Sequence, residues 1–352
     1  MDIRAMKKAL TVALQANIPI MLWGPFGIGK TQGLYQWANE HNYIVIDVRL
    51  SQVEPVDLRG IPFKDAETGR TMWAIPSMWP DPDDHTTQYI VFFDEINHGD
   101  QSTLSASFQA IQERMLGEYK FPDGCRFAAA GNRAKDRTYA NELPTALKNR
   151  FIHLEITSSY EGFTEHAIKA GFHPLVVGFS RFKPKAINEA IEHGNTDEEY
   201  NRVAEVLTHN AIATPRTMEM VSKLLYAATD PKTNQIDYDS IRPLINGAIG
   251  EETAVKFHGY AQFYKDLPDI DKLIKNPSNF DVPENPGMLY AICTALSARM
   301  NDKNVNNIVK YITRMGNEYQ AMCMKDALSR DISLLATPAF ADWSDKNADI
   351  LF

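Results

Sequence analysis

Cysteine is scarce in this 352-residue chain, and its three copies, Cys125, Cys293 and Cys323, lie far apart. An odd number at such separations suits neither a disulfide framework nor a C-x-x-C metal or redox site, so reduced, mostly buried thiols are expected. The nine histidines include no H-x-x-x-H or H-E-x-x-H pair, which argues against a dedicated zinc site. No apolar run approaches the length needed to cross a bilayer. The stretch Met1-Asp-Ile-Arg-Ala-Met-Lys-Lys8 has no uninterrupted apolar core behind its charges, so it does not read as a secretory signal, and the cytoplasm is the expected compartment. Positive charge is not in excess: 36 Lys and Arg against 45 Asp and Glu leave a formal charge of −9. That balance speaks against a broad nucleic-acid surface, though not against a local basic groove. Repeats and low-complexity linkers are missing too, and the length allows two compact domains or one large domain with a satellite.

What is present is concentrated early. An apolar run from Ile18 reads as a short buried strand and breaks into Gly24, Pro25, Phe26, Gly27, Ile28, Gly29, Lys30 and Thr31. This fits G-x-x-x-x-G-K-[ST], and a chance match in a chain of this length is on the order of a per cent. Leu34, Trp37 and Ala38 then recur at helical spacing. Strand, glycine loop and helix together favour nucleotide binding. Backbone N–H groups turn inward on a phosphate, and the helix N-terminus adds its positive dipole end. Lys30 would reach the β/γ-phosphates and Thr31 would place its hydroxyl on Mg²⁺.

Residues 2–16 carry Ile3, Met6, Leu10, Ala13 and Leu14 on one face of an expected amphipathic helix. Tyr43–Leu50 reads as a second, nearly continuous apolar strand, and the strand–helix alternation predicts a mostly parallel sheet with covered faces. Ile61–Ala74, within an insert of about 61–80, reads as a β-hairpin; Trp73, Met78 and Trp79 near its far end are expected to pack.

Tyr89–Phe93 runs straight into Asp94 and Glu95. Carboxylates at the end of a buried strand need a partner, and beside a phosphate loop that partner would be Mg²⁺ held by Thr31 and Asp94. Glu95 could orient or deprotonate an attacking water. A helix is expected over Ser102–Met115, a strand from Arg126 to Gly131, a short helix over 143–150 and a fifth strand over Phe151–Ile156. Asn132 is either a turn residue beside a glycine or an amide that holds water next to a γ-phosphate. Arg150 by itself reads as surface charge. From Thr157 onward helical patterns dominate. Thr214 and Pro215 mark one helix start, and Arg216 in its first turn is mildly disfavoured by the dipole, which invites a phosphate partner. Val305, Ile308, Val309, Ile312 and Met315 form a further amphipathic helix, and 230–236 and 276–286 are candidate breaks.

The order of these motifs resembles that of AAA+ ATPases, with Gly24–Thr31 as Walker A, Asp94-Glu95 as Walker B, Asn132 as sensor 1, Arg150 as arginine finger and Arg216 as sensor 2. The wording around Asp94-Glu95-Ile96-Asn97, Phe108–Arg114, Ala130–Arg133 and Leu143–Phe151 looks like the MoxR branch, close to the dynein-related AAA group, whose helix-2 insert the 61–80 segment matches. The likeness covers residues 1 to about 230. Phe26 stands where many members carry a second proline, and the 117–124 connection is shorter than the usual pre-sensor hairpin.

The resemblance implies a P-loop NTPase αβα core over 1–156, a helical lid over 157–232 and a helical C-terminal extension over 233–352. It implies ATP and Mg²⁺ as cofactors and a homo-oligomeric ring, most often of six subunits, in which Arg150 completes the neighbour's site. It also implies a protein client, commonly one with a von Willebrand factor A domain. Two other functions remain open: a nucleic-acid-associated AAA+ motor, and a nucleotide-gated scaffold with little turnover.

Overall fold

The computed structural model describes residues 1–132, 143–157, 159–187, 211–231, 233 and 235–348. Arg133 and residues 188–210 of the expected lid lie outside the described residues. The chain divides into two compact units, Met1–Ser158 and Ser159–Phe352.

In the first unit, helix α1 (Ile3–Gln15) starts where the Asp2 carboxylate accepts the Ala5 N–H at 2.8 Å. Strand β1 (Ile20–Trp23) leads through the glycine loop into α2 (Lys30–Glu40), followed by β2 (Ile44–Arg49) and the short α3 (Pro55–Arg59). The strands β3 (Ile61–Lys64) and β4 (Thr71–Ala74) pair antiparallel as the expected hairpin. Beyond it Trp79 turns inward, donates Nε1 to the Leu58 carbonyl at 2.8 Å and packs edge-on against Phe121, whereas Trp73 stays half-buried on the hairpin.

Strand β5 (Tyr89–Asp94), helix α4 (Gln101–Glu113), strand β8 (Cys125–Gly131), helix α5 (Thr145–Lys148) and strand β9 (Ile152–Glu155) complete the layer. The five-stranded sheet has the order β2-β5-β8-β1-β9, and every pairing is parallel, where a mostly parallel sheet was expected. Strand alternation divides its apolar residues. Ile20, Leu22, Ile90, Phe92, Ala128 and Ala130 face α1 and α2. Met21, Val91, Phe93, Phe127 and Ala129 face the side covered by α4. Burial on both faces is why these strands read as unbroken apolar runs.

One local expectation needs correction. The helix expected to reach Met115 stops at Glu113 because Arg114 adopts φ 55°, in the left-handed region. The connection after it is itself a small hairpin, β6 (Met115–Leu116) against β7 (Tyr119–Lys120), turned at Gly117 with φ 60°.

The second unit is helical. Among its described residues, strand pairing is limited to the bridge between Thr229 and Ile236. Helices α6 (Tyr160–Lys169), α7 (Pro174–Phe182), Pro215–Ala227, Tyr238–Ile249 and Glu251–Lys265 gather around Phe179, Val221, Ile245 and Phe257. Residues on both sides of position 232 share that cluster. A second cluster joins Pro286–Ser297, Val305–Ile312 and Asn317–Arg330 around Ile292, Ile308, Tyr311 and Phe340. Cys125, Cys293 and Cys323 are all buried free thiols. Among the described residues no helix is long and apolar enough to cross a membrane.

Candidate nucleotide site

In an open parallel sheet, ligands sit off the carboxyl ends of the strands. Three strands bring their last residues to one such edge: β1 ends at Trp23 and β8 at Gly131, paired in register, and β5 ends at Asp94. The glycine loop leaves this edge at Gly24. A Cβ there would meet the Ile156 carbonyl oxygen at 2.5 Å and Ile28 Cδ1 at 2.8 Å, so only glycine lets the loop turn this close to the sheet. Gly29, with φ 95°, occupies the left-handed region just before α2. It offers no capping side chain, so the first-turn N–H groups of α2 point outward without one.

Lys30 is only 8 % exposed. Its Nζ donates to the carbonyls of Gly24 at 2.6 Å and Pro25 at 2.9 Å, and to Asn132 Oδ1 at 3.0 Å. One residue further along the same element, Thr31 Oγ1 donates to Asp94 Oδ2 at 2.8 Å. Burial raises the Asp94 carboxyl above its usual range, against the lowering effect of the Thr31 hydroxyl and the Glu95 N–H. Glu95 itself sits at φ 52°, a conformation rarely held by a residue with a side chain. Ser51 Oγ donates to Glu95 Oε2, whereas the Asp94 carboxylate accepts from Thr31 Oγ1 and the Glu95 N–H.

A further residue emerges only in three dimensions. Asn97 is 2 % exposed, and its Nδ2 donates to the Asn132 carbonyl at 2.5 Å. It thereby fixes the backbone that carries the Asn132 amide toward Lys30. A Cβ at Gly131 would fall 2.7 Å from Asn97 Oδ1, so the glycine before Asn132 is the sequence trace of this contact. Asn97 is legible as part of a motif, but its partner is not.

Lys30, Thr31, Asp94, Glu95 and Asn132 therefore come together. Arg150 does not join them. It precedes β9, whose first residue Ile152 pairs with Ile20 at the start of β1, the edge opposite the glycine loop. A strand of this length spans roughly 13 Å. The Arg150 guanidinium lies 4.2 Å from the centroid of the Phe108 ring, which holds it by cation–π contact. Arg216 belongs to the second unit. It is exposed in the first turn of Pro215–Ala227, behind a reciprocal cap in which Thr217 N–H donates to Thr214 Oγ1 at 3.2 Å and Thr214 N–H to Thr217 Oγ1 at 2.8 Å.

The donor set suits a hard divalent cation: one hydroxyl and one carboxylate, both oxygen. Among the described residues no group of three or more His, Cys, Asp or Glu could hold a metal, so a cation here needs phosphate oxygens and water to complete its shell. That is how Mg²⁺ is bound in triphosphate sites. Such an edge can bind a phosphate chain through amides, ammonium and cation, and Glu95 is placed to accept a proton from a nucleophile.

The fold is that of a phosphate-loop NTPase: a parallel αβα layer with its loop, acidic and polar strand ends on one edge, followed by a helical region. No protein-family description matches the chain, and no curated protein does. Among solved structures, a point mutant of RuvB from Thermotoga maritima is 16 % identical with a TM-score of 0.39, over 97 % of this chain and 87 % of that one. Another RuvB structure from the same organism, described as a Holliday junction branch migration motor, is 17 % identical with a TM-score of 0.37, again over 97 % and 87 %. NtrX from Brucella abortus is 14 % identical with a TM-score of 0.39, over 78 % of this chain and 64 % of its own. Likeness at this level assigns neither a family nor an activity.

Proposed function

We propose that this protein is a Mg²⁺-dependent ATPase of the MoxR type of AAA+ ATPases, which assembles as a ring and spends ATP on remodelling or activating a partner protein. The observation that carries this reading is the convergence of Lys30, Thr31, Asp94 and Asn132 on one sheet edge, where each is tied to another by a hydrogen bond. In this reading the loop from Gly24 to Thr31 cradles the phosphates, Thr31 and Asp94 hold Mg²⁺, Glu95 activates water and Asn132 positions it. Arg150 sits across the sheet from its own loop and serves the neighbouring subunit's γ-phosphate, where an arginine acting in trans accelerates hydrolysis about 10³-fold or more. Arg216, in a lid spanning 157–232, reports the γ-phosphate; 233–352 forms a helical extension, and a von Willebrand factor A domain protein is the expected type of client.

The test is phosphate release in Mg²⁺ as a function of protein concentration. Specific activity should rise through the assembly range, fall about 10³-fold in Arg150→Ala, and recover in part when Arg150→Ala is mixed with Glu95→Gln, since each supplies what the other lacks. A rate that is flat with concentration and indifferent to both substitutions removes the ring mechanism.

A further inference from the structure

The hydrogen bond from Thr31 to Asp94 is the upper of two rungs. Tyr35 follows Thr31 one turn later on the same face of α2, and its hydroxyl donates to Asp47 Oδ2 at 3.2 Å. Asp47 lies on β2 opposite Phe92, and Arg49 lies opposite Asp94. Strand alternation therefore puts Asp47 and Asp94 on one sheet face, the face that α2 covers. The two oxygens of Asp47 differ. Oδ2 takes the Tyr35 hydroxyl and lies 3.5 Å from Arg49 Nε. Oδ1 is buried and has no hydrogen-bond partner. A buried carboxylate oxygen without a donor is costly and calls for a reason. The charge of Asp47 reaches its neighbours: it contributes to raising the Asp94 carboxyl and, after burial itself, to pushing the Tyr35 hydroxyl up to about 12.

We infer that Asp47 is a positioning residue for the divalent cation of this site: Oδ1 accepts a hydrogen bond from a cation-bound water, while Tyr35 and Arg49 hold Oδ2. The inference rests on the nucleotide reading above and adds to it. Oxygen ligands supplied directly by the protein are few here, so water must fill the shell, and an anionic acceptor below Asp94 orients that water and favours a doubly charged ion. Partners of this kind, one step removed from the metal, typically change metal affinity by about 10- to 100-fold when mutated.

The experiment uses the full-length chain and two binding measurements. Fluorescent ADP is titrated in EDTA, and Mn²⁺ is titrated in the presence of saturating ADP with free Mn²⁺ read by electron paramagnetic resonance. In Asp47→Asn, which keeps the side-chain shape, metal-free ADP affinity should stay within about twofold of the parent while Mn²⁺ affinity falls about tenfold. Tyr35→Phe should shift Mn²⁺ affinity in the same direction by less. Equal losses in both titrations would make Asp47 a structural residue and overturn the inference, as would Mn²⁺ affinity within about twofold of the parent. A parent chain that binds no ADP under either condition sinks the nucleotide reading itself, a result distinguishable from the other two.

Discussion

Replacing Asn97 by alanine removes the side-chain donor that reaches the Asn132 carbonyl at 2.5 Å. That carbonyl then loses a buried partner, at a cost of about 1–3 kcal/mol. The loss is offset in part, because the same substitution deletes Asn97 Oδ1, itself buried and without a partner. The net destabilisation should be about 1 kcal/mol, or a fall of roughly 2–4 °C in the melting temperature for a unit of this size. The kinetic effect should be larger. Asn132 Oδ1 meets Lys30 Nζ at 3.0 Å, and the backbone that sets this distance would be free to shift. A misplacement of about 1 Å can cost on the order of a hundredfold in rate. Turnover should therefore fall by about tenfold or more. Nucleotide affinity should change by less than about threefold, because Lys30 keeps its place through the Gly24 and Pro25 carbonyls. Thermal denaturation and steady-state ATP hydrolysis on the same preparation decide the matter. A melting temperature lowered by a few degrees with unchanged turnover would show Asn97 to be packing alone and refute the argument.

Gly24→Ala would drive a methyl group against the Ile156 carbonyl oxygen and Ile28; nucleotide affinity and melting temperature should both fall, and a binding isotherm identical to the parent's would contradict the close packing of loop on sheet. In the second unit, burial pushes the His173 imidazole down to about 4, with Arg299 acting in the same direction. Between its ordinary value of 6.5 and about 4 the unfolded chain binds a proton that the folded chain does not, so this residue withdraws stability as pH falls through that window. Asp326 runs the other way: burial lifts its carboxyl to about 6 despite Arg181, so the folded chain takes up its proton first and acid stabilises. Comparing the parent with His173→Asn, which retains a capping acceptor for helix α7, cancels the Asp326 contribution. The variant should gain on the parent by up to about 3 kcal/mol between about pH 7 and pH 4; parallel stability curves would refute the buried neutral imidazole.

By itself the sequence determined the parts whose physics is local. The glycine loop is legible because a tight turn onto a helix start needs residues without side chains at fixed offsets. The second strand, Ile44–Arg49, was visible within Tyr43–Leu50 through its β-branched Ile44, Val45, Ile46 and Val48, although at the edge of the sheet it is only partly buried. The Ile61–Ala74 hairpin announced itself through its polar turn. Asp94 and Glu95 stood out because carboxylates rarely end such a run unaided. Less visible were the end of α4, decided by the left-handed Arg114, and the small hairpin turned at Gly117.

Tertiary structure alone decided which of these parts meet. Lys30 and Asn132 are 102 residues apart, and Thr31 and Asp94 are 63 apart; each pair touches because of the order in which the strands lie side by side. The parallel register of β9 on β1 places Arg150 at the opposite edge from its own loop. The hold of Tyr35 on Asp47 likewise left no local pattern to read, and that of Asn97 on Asn132 left only Gly131, which does not name the partner. Periodicity and turn chemistry record what a residue needs from its immediate neighbours along the chain, whereas hydrogen bonds between strand ends depend on sheet order and register, which no short stretch encodes.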